Sequence, residues 1–142
     1  MTRDEYAKQT RICFLDDRDA VASYVKTYEA SELEKILAIA DDVVDQSFLF
    51  NLRWDMERTF EPVVFPDVID WFHQPGDDSE WVFAFNRMRF WICLGQAYAC
   101  TKNEKYAKAF ASQLCDWVAR DRRTDPGCAK AWRSIEAGLR ME

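Results

Sequence analysis

An all-α fold of helical hairpins, joined by one extended aromatic-rich connector, is predicted by three observations. Apolar residues recur at three- and four-residue spacing through most of the chain, and two Ser/Thr-x-x-Glu boxes open amphipathic runs. Only 4 Gly and 4 Pro are available for turns, too few for an all-β chain.

Element by element, Val21, Tyr24, Val25 and Tyr28 share one face of a helix over Asp17–Tyr28. Ser31-Glu-Leu-Glu34 reads as a capping box opening a second helix, whose Leu33, Ile36, Leu37, Ala40, Val43 and Val44 face its neighbour. Between Gln46 and Gln74 aromatics mix with Pro62 and Pro66, with β-like runs at Ser47–Leu52 and Val63–Phe65, which describes a connector packed onto the helices. After the Pro75-Gly76 turn, Asp78 or Ser79 caps a helix whose large apolar residues, from Trp81 to Tyr98, lie all round it and imply burial on most sides. Thr101-Lys-Asn-Glu104 is the second capping box, and Tyr106, Phe110, Leu114, Trp117 and Val118 form the stripe that follows. Arg120–Gly127 is a charged loop. Ala129–Arg140 is helical, with Trp132, Ile135 and Leu139 on one side, and the missing C-terminal cap gives the expectation of a truncated helical domain.

A length of 142 residues fits a single helical domain over 1–142, and 49% apolar residues provide a core. The formal charge of -6 argues against nucleic acid as a partner, yet it hides a split. Residues 1–80 carry 8 basic and 19 acidic side chains, whereas residues 81–142 carry 11 and 6. The basic half can serve an anionic partner that the average would repel. No run approaches the roughly 20 apolar residues of a membrane span, and Met1–Arg11 has no apolar h-region. A cytoplasmic location is therefore expected, or a periplasmic or secreted one if a leader was removed. The five cysteines, at 13, 93, 100, 115 and 128, form no C-x-x-C pair and are expected to be reduced.

Chemistry by residue type is sparse. His73 is the single histidine, so a nucleophilic triad or a His/Cys zinc site has one candidate at most, and no metal or cofactor is expected. No Gly-rich phosphate loop occurs, and the acid pairs Asp16-Asp17, Asp41-Asp42 and Asp77-Asp78 fit solvated caps. Trp91-x-x-Leu94-Gly95-x-x-Tyr98 followed by Ala107 fits the opening of a tetratricopeptide unit, with Gly95 allowing close helix approach. The repeat has no second copy, which favours a close-packed helical hairpin; the alternative function is a tetratricopeptide-like helical protein-interaction module without enzymatic activity.

Further residues carry a resemblance: Ile69-Asp-Trp71, Glu80-Trp81, Asn86-Arg87, Trp91-x-x-Leu94-Gly95-x-Ala97-Tyr98, Thr101, Glu104-Lys-Tyr106-Ala107, Trp117 and, most distinctive, Trp132-Arg-Ser-Ile-Glu-Ala-Gly-Leu-Arg140. From about Ile69 onward the chain resembles the N-terminal domain of heparinase II/III-like polysaccharide lyases, departing from it at Met88, where that family often has His. The resemblance implies part of an incomplete (α/α) toroid, followed by further toroid helices and a β-sandwich domain. It also implies β-elimination at a uronic acid, with an acidic polysaccharide such as a glycosaminoglycan as partner. The family's catalytic Asn, Tyr and His have no matching positions here, so this stretch is expected to be inactive alone.

Asn86, Arg87, Arg133, Glu136 and Arg140 remain as candidate substrate-binding residues, polar groups on apolar helices where unpaired burial costs several kcal/mol. Two readings stand side by side. In one, Arg87 or Arg140 pairs with Glu136 or Glu80 and locks neighbouring helices. In the other, Arg87, Arg133 or Arg140, with Arg89 beside them, grips carboxylate or sulfate in fork geometry. Trp71, Trp81 and Trp132 are the aromatic counterparts, placed either in the core or against sugar rings.

Overall fold

A computed structural model describes residues 17–53, 55, 58–120 and 126–140. Most of the charged loop at 120–127, the chain's last two residues and Cys13 lie outside the described residues. The elements run α1 (Arg18–Tyr28), α2 (Ala30–Val44), β1 (Ser47–Phe48), β2 (Val63–Val64), α3 (Ser79–Arg87), α4 (Phe90–Thr101), α5 (Glu104–Arg120), a 3-10 turn (Pro126–Trp132) and α6 (Ser134–Arg140).

Local chemistry explains the helix starts. The Asp17 carboxylate accepts from Ala20 N at 2.8 Å, and Asp78 accepts from Glu80 N and Trp81 N, each satisfying donors at a helix N-terminus. Two capping expectations are corrected. Helix α2 begins at Ala30, so Ser31 lies inside it, and the chain reaches it directly from α1 through Glu29. At α5 the cap is Asn103, whose Oδ1 accepts from Lys105 N at 3.1 Å, while Thr101 ends α4.

The long helix expected through Trp81–Tyr98 is two helices. Met88 adopts φ 56°, a left-handed conformation that ends α3 after Arg87, and α4 starts at Phe90. The C-terminal helix is likewise divided: Ala129–Trp132 belongs to the 3-10 turn and only Ser134–Arg140 is α-helical. On α1 the helix is right but its buried face is not, because Ala22 is the buried residue while Tyr24 and Tyr28 pair with each other at 4.9 Å in solvent.

Helix α4 is the inner element, packed against α1, α2 and α5 through buried Phe90, Cys93, Leu94, Ala97 and Cys100. The connector closes one end. Its β-like runs shrink to a two-residue antiparallel pair, Ser47 opposite Val64 and Phe48 opposite Val63, which brings Phe48, Phe50 and Phe65 onto α3. There Phe85, fully buried, meets Phe48 at 4.8 Å, Trp71 at 5.2 Å and Trp81 at 4.7 Å between ring centroids. Each such contact adds about 0.5–1.5 kcal/mol beyond area burial. The result is a rigid floor under α3, the helix that carries Asn86 and Arg87.

Candidate functional site

Asn86 and Arg87 close α3, directly after Phe85 at the centre of the aromatic floor. Asn86 is fully buried and joins four parts of the chain. Its Nδ2 donates to Trp71 O at 2.8 Å in the connector and to Val82 O at 3.0 Å, and its Oδ1 accepts from Trp117 Nε1 of α5 at 3.2 Å. Its backbone carbonyl accepts from Arg140 Nη1 of α6. Every polar atom of the side chain is thus engaged inside the protein.

Glu136 of α6 is also fully buried, and cations surround it. Arg87 Nη2 donates to its Oε1 at 3.2 Å, while Arg133 donates through Nε to Oε2 at 2.9 Å and through Nη2 to Oε1 at 3.1 Å. Burying a carboxylate is tolerable only with such pairing. Arg133 holds its guanidinium 3.7 Å from the Phe83 ring centroid, and Arg140 lies 4.8 Å from Trp132 and 5.1 Å from Trp117. The five candidate residues therefore form one connected assembly between α3, α5 and α6.

The tryptophans sort differently. Trp71 and Trp81 belong to the core, and Trp132 packs on Trp117 at 5.6 Å, half-buried. His73 sits edge-on between Phe65 and Trp81, at 5.5 and 5.3 Å. A Cβ built on Gly95 meets nothing within 4 Å, so the close helix approach read from the repeat-like motif does not occur. Among the described residues no group of three or more His, Cys, Asp or Glu is placed to hold a metal, and no helix is long and apolar enough to cross a membrane.

A cleft of about 260 Å³ opens where α3 meets α4, beside this assembly. Among the described residues Arg87, Arg89 and Arg140 supply its charged lining, and Met88, Trp91 and Phe110 are among its apolar walls. A second hollow, of about 220 Å³, lies over α5 and the connector beside Asp67, Gln113, Asp116 and Arg120. Here Asp116 accepts from Trp71 Nε1 at 2.8 Å and pairs with Arg120 Nε at 2.7 Å, so its carboxylate is occupied on both sides.

Two structural residues escaped the sequence reading. Gln113 is buried, donates to Val43 O at 2.8 Å and accepts from Trp91 Nε1 at 2.8 Å, tying α2, α4 and α5. Its position between Phe110 and Trp117 on the stripe was the available signal. Asp116 lies off the apolar stripe of α5, and its bond to Trp71 depends on a tertiary contact across 45 residues that no local pattern encodes.

A buried inner helix flanked by amphipathic ones, closed by an arginine–glutamate assembly, defines this class of protein: an all-α fragment of an incomplete (α/α) toroid. The chain belongs to the heparinase II/III family, whose N-terminus model matches residues 2–142. Among solved structures it is similar to the heparan sulfate lyase HepC from Pedobacter heparinus, with 22% identity and a TM-score of 0.66 over 75% of this chain. The chain spans 16% of the length of that lyase, and at this identity the likeness shows the fold. No curated protein sequence matches it.

Proposed function

We propose that this chain is the N-terminal helical part of a polysaccharide lyase that cleaves a uronic-acid-containing polysaccharide by β-elimination. The observation that carries the reading is the family match across residues 2–142. It is supported by the name of the structural neighbour, a heparan sulfate lyase, which favours an acidic polysaccharide as the substrate class. The reaction needs three things: a group that neutralises the uronate carboxylate, a base that removes the C5 proton and an acid that protonates the departing O4 oxygen.

In this reading the described residues bind and brace, and the proton-transfer groups come from other parts of the full-length protein. Asn86 and Glu136 have their polar atoms turned inward, which suits holding Arg87, Arg133 and Arg140 in place for an anionic chain. The test is to incubate the full-length protein with uronic-acid polymers and follow the ultraviolet absorbance of the unsaturated product. A rise on at least one polymer is expected; none on any of them overturns the lyase assignment.

A further inference from the structure

Resting on the lyase reading, the cleft at the α3–α4 junction acquires a specific task. We infer that it is a saccharide subsite that seats one acidic sugar residue, its carboxylate or sulfate held by Arg87 and Arg89 and its ring lying on Trp91 and Phe110.

The backbone builds this juxtaposition. Residues two apart on a continuous helix point to different sides, so Arg87 and Arg89 would not share a surface if α3 ran on into α4. The left-handed Met88 between them breaks the helix, and both arginines line the same cleft. Arg87 is 6% exposed and its guanidinium is aimed by Glu136, which takes Nη2. Its Nε is buried with no hydrogen-bond partner among the described residues. A buried donor left in that condition carries an uncompensated desolvation cost, which favours an oxyanion arriving beside it. The guanidinium is thus preorganised for an anion, with little side-chain entropy left to lose.

Shape and polarity narrow the ligand. At about 260 Å³ the cleft is smaller than the range of about 300–1,000 Å³ typical of drug-sized sites, a size that suits one sugar residue of a chain extending past its open mouth. Ile92 at 45% and Phe110 at 40% exposure leave an apolar shelf beside the arginines. A charged edge next to an apolar shelf matches an acidic pyranose, which carries its oxyanion at one edge and C–H groups on its face.

The experiment titrates the full-length native protein with methyl glucuronoside, glucosamine 6-sulfate, uncharged methyl glucoside and inorganic sulfate, in low and high salt. At least one charged sugar is expected to bind, at least tenfold tighter than methyl glucoside and than inorganic sulfate. Arg89→Gln and Phe110→Ala should each weaken it at least fivefold in proteins whose far-ultraviolet circular dichroism matches the parent's. Equal affinity for methyl glucoside overturns the anion half of the proposal, and equal affinity for inorganic sulfate overturns the sugar half. Unchanged affinity in both variants overturns the location. Charged-sugar binding lost in the variants of a protein that cleaves no uronate polymer would sink the lyase reading and keep the subsite. Cleavage with unchanged KM and affinity in both variants would do the reverse.

Discussion

Arg87 Nη2 meets Glu136 Oε1 at 3.2 Å, a pairing of two buried residues 49 positions apart that fastens α6 to the end of α3. Removing one partner of a buried pair leaves the other charged and unsolvated, at a cost of about 3–5 kcal/mol. Glu136→Leu should therefore lower the urea midpoint sharply, since it strands Arg87 and releases Arg133 as well. The double change Arg87→Met with Glu136→Leu should recover much of that loss, because no uncompensated charge remains. A double variant no more stable than Glu136→Leu would show that the pair is not the source of the effect.

Asn86 offers a neutral counterpart. Asn86→Leu has similar bulk but leaves Trp71 O and Trp117 Nε1 without their partner. With about 1–3 kcal/mol for each unsatisfied buried group, a total loss of about 2–6 kcal/mol is expected. Chemical denaturation measures it, and the fluorescence of the native state should shift because Trp117 loses its acceptor.

How far the sequence reached can be judged from these residues. Asp17 and Asp78 were legible as caps because capping is local chemistry, and Asn86, Arg87 and Glu136 stood out as polar groups on apolar helices. The Arg87 partner could be narrowed to Glu136 or Glu80, and only the fold chose between them. The break at Met88 was illegible, since left-handed turns are normally signalled by Gly or Asn and here a methionine is held there by burial. The shared cleft of Arg87 and Arg89 was hidden for the same reason. Tyr24 and Tyr28 misled in the other direction, because periodicity marks a face without saying whether anything covers it.

Two opposing magnitudes decide what happens at Met88. Glycine there would relieve a left-handed backbone worth about 1 kcal/mol or slightly more. It would also empty a site where the methionine is 5% exposed in the core, a loss of about 2–5 kcal/mol for truncating a buried Met. Met88→Gly is therefore expected to destabilise the protein by about 1–4 kcal/mol in a denaturant titration, despite the favourable φ. A gain in stability would mean that strain outweighs packing at this junction.

Asp41 on α2 gives a pH signature. Lys105 Nζ lies 2.6 Å from its Oδ1 and Tyr106 Oη donates to the same oxygen at 2.9 Å, both from α5. The bond to Lys105, with that to Tyr106, holds the Asp41 carboxyl below its ordinary value even though partial burial pushes upward. A carboxyl lowered in the folded state contributes stability above the unfolded pKa, near 3.9, and loses it as pH falls through the folded value. Because the side chain is 50% exposed, solvent screening keeps the effect below about 1 kcal/mol. Asp41→Asn should thus melt lower than the parent at neutral pH, with the gap closing on acidification below about pH 4. A gap independent of pH would assign the effect to packing.

Cysteine reactivity separates two thiols by their surroundings. Cys93 is fully buried on α4, and burial, with the nearby Asp55 charge adding to it, pushes its thiol up to about 12. Only the thiolate attacks an alkylating reagent, so at pH 8 Cys93 offers almost none and offers it inside the core. Cys115 is a free, exposed thiol on α5. Brief iodoacetamide treatment of the native protein, followed by peptide mass mapping, should therefore label Cys115 and spare Cys93. Labelling of Cys93 should appear with the unfolding transition in urea, which makes it a probe of α4 opening. Rapid modification of Cys93 without denaturant would contradict the placement of α4 as the innermost helix.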